Sequence, residues 1–128
     1  MKQAARFQTR VYGEDDMELI LRRKIRALAA KHPKRQFNLG RIVATYGALD
    51  ALRRSGDSPA RLLVRHASGD YGDMPPEDVL ENRRSLQTGA RIMSAYRLRS
   101  GVKIWLITEA VGDDGERSAT TFLLPEEY

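Results

Sequence analysis

Residues 91–124 read RIMSAYRLRSGVKIWLITEAVGDDGERSATTFLL, and this stretch decides the fold. Three runs within it, 91–98, 102–110 and 118–124, are rich in β-branched and aromatic residues and alternate with the two-residue period of a pleated strand. Arg99-Ser100-Gly101 joins the first two runs, and Gly112-Asp113-Asp114-Gly115 joins the last two; both linkers have the composition of tight turns. The expectation is a three-stranded antiparallel meander or a larger sheet built on it. On the middle run, Val102, Ile104, Leu106 and Thr108 share one face, and Lys103, Trp105, Ile107 and Glu109 share the other. If helices cover the first face, the second presents charges around an indole, which is a candidate binding surface. The alternative is that Trp105 packs under the N-terminal segment.

Upstream of Gly89 the period changes to that of helices. Met17, Ile20, Leu21, Ile25, Leu28 and Ala29 recur three and four apart and form one apolar stripe. Glu14-Asp15-Asp16 opens that helix with acidic residues suited to its dipole, and His32-Pro33 closes it. Arg22, Arg23, Lys24 and Arg26 crowd its other side. Residues 37–45 read as a short extended segment or tight connection, and residues 3–12 as an edge strand or arm. Thr45 is suited to cap a helix over 46–55 that stops at Gly56. Ser58-Pro59 starts another, running to about residue 67, and Pro75-Pro76-Glu77-Asp78 a third that stops at Gly89. Helices first and strands after argue for an α+β class, with N-terminal helices packed on one face of a C-terminal antiparallel sheet. No linker or repeat interrupts the chain. It therefore reads as one domain over 1–128: a basic arm and helix (1–36), a helical part (37–89) and the meander (90–128).

With 128 residues, a chain of this size buries roughly two-thirds of its unfolded surface, enough to fold without a disulfide or metal. There are no cysteines, which excludes a disulfide framework, a thiolate zinc site and a cysteine nucleophile, and fits a reducing, cytoplasmic compartment. No apolar run approaches the roughly 20 residues needed to span a bilayer, and the N-terminus lacks the apolar segment of a signal peptide. The net charge of +5 is unevenly placed. Residues 1–54 hold 13 Lys/Arg against 5 Asp/Glu, a net of +8; residues 55–128 hold 9 against 12, a net of −3. A basic half points to a nucleic-acid partner, or to no more than a solvated helix face.

Four blocks carry a family resemblance: FNLGRIVATYGAL at 37–49, RHASGDYGD at 65–73 followed by Asn82, GARIMSAYRLRSGVKIWLITE at 89–109, and SATTFLLPEEY at 118–128. Together they cover about the last two-thirds of the chain. In these blocks the chain resembles a family of small bacterial proteins carried by plasmids, phages and integrated elements. It departs from that pattern mildly, with Tyr46 where a proline often stands and Tyr71 where a tryptophan does. The resemblance implies a mobile-element setting and no mechanism.

No phosphate-binding glycine loop, dinucleotide fingerprint, zincin motif or paired-cysteine spacing is present, and no cofactor or metal is expected. Asp70 and Asp73 could meet Asp113 and Asp114 around a divalent ion, but each pair also reads as ordinary turn residues. His66, at a helix end beside the SGDYGD loop, is a candidate proton donor or acceptor. With Glu109, Lys103, Arg91 and a strand threonine, Thr121, it would make the kit of a metal-independent ribonuclease of toxin type: a base, an acid and cations for the phosphorane. The order of helices then meander resembles barnase- and RelE-like nucleases, by fold analogy only. Cross-strand pairing on a solvated face explains the same residues without chemistry. The reading that absorbs most features is a non-catalytic nucleic-acid-associated or interaction module. Its candidate contacts are Arg22, Arg23, Lys24, Arg26, Lys34, Arg35 and Trp105. Candidate partners are RNA or DNA, or a protein partner (an antitoxin or a host defence complex that the chain inhibits), and no membrane.

Overall fold

A computed structural model describes residues 9–12, 17–31 and 34–128. The expected arm before residue 9, the acidic opening at Glu14-Asp15-Asp16 and the His32-Pro33 stop lie outside the described residues. The elements run β1 (Thr9–Tyr12), α1 (Met17–Ala29), β2 (Arg41–Thr45), α2 (Tyr46–Ser55), α3 (Pro59–Ala67), α4 (Pro76–Thr88), β3 (Ile92–Arg97), β4 (Lys103–Thr108) and β5 (Ala119–Leu123), then a short 3-10 turn at Pro125–Glu127. The α+β class and the meander are as the periodicity predicts. The sheet is larger and mixed, in the order β1-β2-β5-β4-β3. Residues 41–45 are therefore a strand and not a connection, laid parallel to β5 with Ile42 opposite Thr120 and Ala44 opposite Phe122.

Local chemistry sets the helix ends. The Thr45 hydroxyl accepts the Ala48 N–H at 3.0 Å, and the Ser58 hydroxyl accepts the Arg61 N–H at 3.2 Å. Each satisfies an N–H that a first turn leaves without a partner. Gly56 and Gly89 close α2 and α4. One sheet face is the main core: Ile42, Ala44, Ile92, Tyr96, Ile104, Leu106 and Phe122 pack beneath Ala48 and Leu52 of α2 and Leu62 and Leu63 of α3. Helix α1 adds Leu21, with Ile25 and Leu28 partly covered, whereas Ile20 turns outward.

The opposite face is not open. Ala95, Ile107 and Leu123 are buried there, outside the main core. The C-terminal turn lies over them, with the Tyr128 ring edge-on to Trp105 at 5.4 Å between centroids and the Arg91 guanidinium 5.3 Å from the Tyr128 ring. Glu127 pins that turn by accepting hydrogen bonds from the Thr45 hydroxyl (2.6 Å) and the Leu124 N–H (2.8 Å). Trp105, half-buried, packs against the C-terminal turn and so does not stand on an open face; the N-terminal segment expected to cover it lies largely outside the described residues.

The SGDYGD loop guards an edge. An edge strand exposes N–H and C=O groups that invite pairing with other chains. On β3, Asn82 of α4 accepts the Met93 N–H (3.1 Å) and donates to the Met93 carbonyl (2.7 Å). One step along, the Ala95 N–H donates to the Tyr71 carbonyl (3.1 Å), and the Asp73 N–H donates to the Ala95 carbonyl (2.7 Å). Gly72 makes this possible. Its φ is +68°, and a Cβ there would sit 2.1 Å from the Ala95 oxygen, so a side chain meets both strain and collision.

Candidate nucleic-acid interface

The side chain that seemed closest to chemistry, His66, lies at the centre of the core with none of its surface exposed. Helix α3 buries Leu62, Leu63 and His66 along one stripe, which aims the imidazole at the sheet. Its Nδ1 lies 2.5 Å from the Ser94 hydroxyl and its Nε2 lies 2.8 Å from the Thr108 hydroxyl. The Thr108 hydroxyl meets the Thr120 hydroxyl at 2.7 Å, and Thr120 donates to the Leu39 carbonyl at 2.7 Å. That terminal carbonyl sets the direction of the whole chain. A hydroxyl has one proton, so Thr120 spends its own on Leu39 and must accept from Thr108. Thr108 must then accept from Nε2–H, which leaves Nδ1 to accept from Ser94. His66 is held as the neutral Nε2–H tautomer. Burial and, secondarily, the Arg117 guanidinium push its pKa down to about 3.

The ribonuclease constellation is therefore not assembled, because strand alternation divides it. Thr108 and Thr120 face the helices with His66, whereas Thr121 pairs with Val43 and Ile107 on the other face. Lys103 and Arg91 belong to that second face too, by alternation with Trp105 and Met93. Glu109 follows β4 and offers its backbone carbonyl to Arg117 (3.0 Å). The expectation that His66 works with Glu109, Lys103, Arg91 and Thr121 as a catalytic kit is corrected by its burial. Among the described residues no cluster of three or more His, Asp or Glu could hold a metal. Asp70 is committed to Arg65 (2.7 Å) and to the Gly72 N–H, and Asp114 to the Glu116 N–H.

The basic residues do converge. A groove of about 920 Å³ runs between α1 and the segment leading into β2. Arg22, Ile25, Arg26 and Ala29, three and four apart, form the helical wall. Lys34, Arg35, Asn38 and Arg41 line the other, with Arg117 and Ser118 along the base. Of the acidic side chains, Glu116 alone among the described residues lines it, against six cationic ones. The segment 34–41 is fixed by Phe37 and Leu39, which are buried, while Asn38 between them is exposed. The Leu39 carbonyl takes the Thr120 bond, and the Gln36 N–H donates to the Ala67 carbonyl at 2.8 Å. Gly40, at φ +66°, lets the segment close on β5; a Cβ would lie 2.4 Å from the Arg117 carbonyl oxygen.

Helix geometry sorts the four α1 cations that the sequence grouped. Arg22 and Arg26 enter the groove, while Lys24, about 200° round the helix from Arg22, borders a separate cavity of about 320 Å³ beside Asp57 and Ser58. Arg23 is exposed but outside the groove, and Trp105 is on the far side of the sheet. Arg41 was missed as a site residue, although an arginine leading an apolar strand was its signal. Arg117, which the sequence offered with Arg91 and Lys103 as a cation for a phosphodiester, is instead committed to three carbonyls from distant segments.

The fold and site together define a small α+β protein with, among the described residues, a cationic groove where α1 meets the starts of β2 and β5. Comparison with protein-family models, curated proteins and solved structures finds no match. Among the described residues no helix is long and apolar enough to cross a membrane.

Proposed function

We propose that this chain is a nucleic-acid-binding module that works without catalysis and holds a phosphate backbone in the groove between α1 and β2. The observation that carries this reading is the concentration of Arg22, Arg26, Lys34, Arg35 and Arg41 on one concave surface. Guanidinium forks suit phosphate oxygens, and neutralising several phosphates releases condensed counterions. The mobile-element setting implied by the family resemblance suits a small protein whose partner is RNA or DNA in the cytoplasm. Binding of a labelled oligonucleotide, followed by fluorescence anisotropy across salt concentrations, should fall steeply with salt. Replacing Arg22, Arg26, Lys34 and Arg35 together by glutamine should make the log–log slope shallower by about 3, at 0.7–0.9 per phosphate contact. Absence of binding by the native protein at low salt would remove the reading and favour a protein partner.

A further inference from the structure

A second cavity, of about 350 Å³, adjoins the groove. Asn38, Glu116 and Arg117 line both, so the two are neighbours across these side chains. The chemistry changes across that boundary. The groove is cationic, whereas the side cavity adds the Gln87 amide and the apolar Leu86 and Val111 to the Asn38 amide and the Glu116 carboxylate. Arg117 offers little to an incoming ligand here, because its guanidinium already donates to the carbonyls of Ser85, Ala90 and Glu109 at 2.8–3.1 Å.

Glu116 is the informative residue. Its backbone is fixed in the turn: its N–H donates to Asp114 Oδ1 and its carbonyl accepts the Gly112 N–H, both at 2.9 Å. Its carboxylate is exposed and has no hydrogen-bond or ion-pair partner among the described residues. A carboxylate at the side of a phosphate groove opposes the anion, so its contribution there lies in accepting from neutral donors. The Watson–Crick edge of guanine presents two parallel N–H donors, N1–H and N2–H, matched to the two oxygens of a carboxylate. Adenine offers one amino group at that edge, and uracil one imino group. In a duplex that edge is already paired, so only an unstacked, unpaired base can offer it.

Resting on the groove reading, we infer that the side cavity receives one unpaired guanine, and that the ligand is single-stranded nucleic acid. The backbone lies along the cations, and the base turns past Asn38 toward Glu116, with Gln87 and Asn38 supplying further amide contacts to its edges. Leu86 and Val111 supply apolar surface beside the base.

The test uses the full chain and labelled 12-mers, uridine-rich RNA and thymidine-rich DNA, each with one central position varied among guanine, hypoxanthine, adenine and an abasic site. On whichever backbone binds tighter, guanine should be preferred about tenfold over adenine and over the abasic site, the discrimination usual for one bidentate base contact. Hypoxanthine, which lacks the 2-amino group, should fall between. Glu116→Ala should equalise the four oligomers while leaving the salt slope unchanged and the affinity for the abasic oligomer no weaker. Equal affinity of the native protein for guanine and abasic oligomers, with steep salt dependence retained, would overturn the guanine site and leave the groove reading standing. Loss of salt-dependent binding altogether would overturn both. The base-substitution comparison needs no variant and so does not depend on how Glu116→Ala folds.

Discussion

Replacing His66 by leucine is expected to destabilise the fold by about 3 kcal/mol at pH 7, with the cost shrinking toward zero by pH 4. At neutral pH the loss is that of two hydrogen bonds in the core. Leucine is close to histidine in size but leaves the Ser94 hydroxyl without its acceptor and the Thr108 oxygen without its donor, at about 1–3 kcal/mol for each buried group left unsatisfied. The pH dependence follows from the native imidazole. Its pKa is pushed from the ordinary 6.5 down to about 3 in the folded chain by burial, then by Arg117. Below pH 6.5 the unfolded chain binds a proton that the folded chain refuses, so native stability falls by about 1.4 kcal/mol per unit until the folded pKa is reached. The stabilising effect is thus complete above 6.5 and lost on the way to 3, a difference of about 3 kcal/mol by pH 4. The leucine variant has no such group, so the two urea-unfolding curves should converge on acidification. Parallel pH profiles would show that His66 is not the neutral centre of a closed network.

Arg117→Leu should cost a similar amount, about 3 kcal/mol or more, with much less of that pH signature, because burial, the main cause of the His66 shift, remains. The Arg117 residue is 7% exposed. Its guanidinium bridges the last turn of α4 (Ser85 carbonyl, 3.1 Å), the approach to β3 (Ala90 carbonyl, 2.8 Å) and the end of β4 (Glu109 carbonyl, 3.0 Å). The Phe37 ring lies 5.8 Å away. Leucine fills part of the volume and removes the charged donor from the part-buried Ala90 and Glu109 carbonyls and the buried Ser85 carbonyl; each hydrogen bond to a charged group contributes about 1.5–3 kcal/mol. Lysine keeps the charge but lacks the fork that reaches several acceptors at once, so Arg117→Lys should fall between. Thermal unfolding of the three proteins at fixed pH checks this order. A leucine variant as stable as the native chain would mean the carbonyls find other donors.

Features set by neighbours in the chain were legible. Thr45, Ser58 and Gly89 mark helix ends because caps act within three or four residues, and the meander follows from alternation and two turn sequences. Pairings between distant segments were not. The β2 strand could be read no further than as an extended segment or a connection, because its parallel partner β5 lies far along the chain and nothing local shows that Ile42 will face Thr120. For Trp105 the sequence offered an open face or a cover from the N-terminal segment, and nothing local pointed to Tyr128 as its neighbour. His66 carried a signal of burial, since it falls on the Leu62–Leu63 stripe of α3, but the three hydroxyls that make burial tolerable come from β3, β4 and β5. The groove was half legible. Arg22 and Arg26 lie one turn apart and Lys34 and Arg35 follow closely, but only folding separates them from Lys24 and adds Arg41 opposite.

The central claim is that nucleic acid lies between α1 and β2. Amide chemical shifts followed during titration with a uridine-rich 12-mer locate the contact directly. The expected result is perturbation at Arg22, Arg26, Asn38, Arg41 and Ser118, with the opposite sheet face around Lys103, Trp105 and Tyr128 unchanged. Shifts concentrated at Lys103 and Trp105, with the groove silent, would contradict the account.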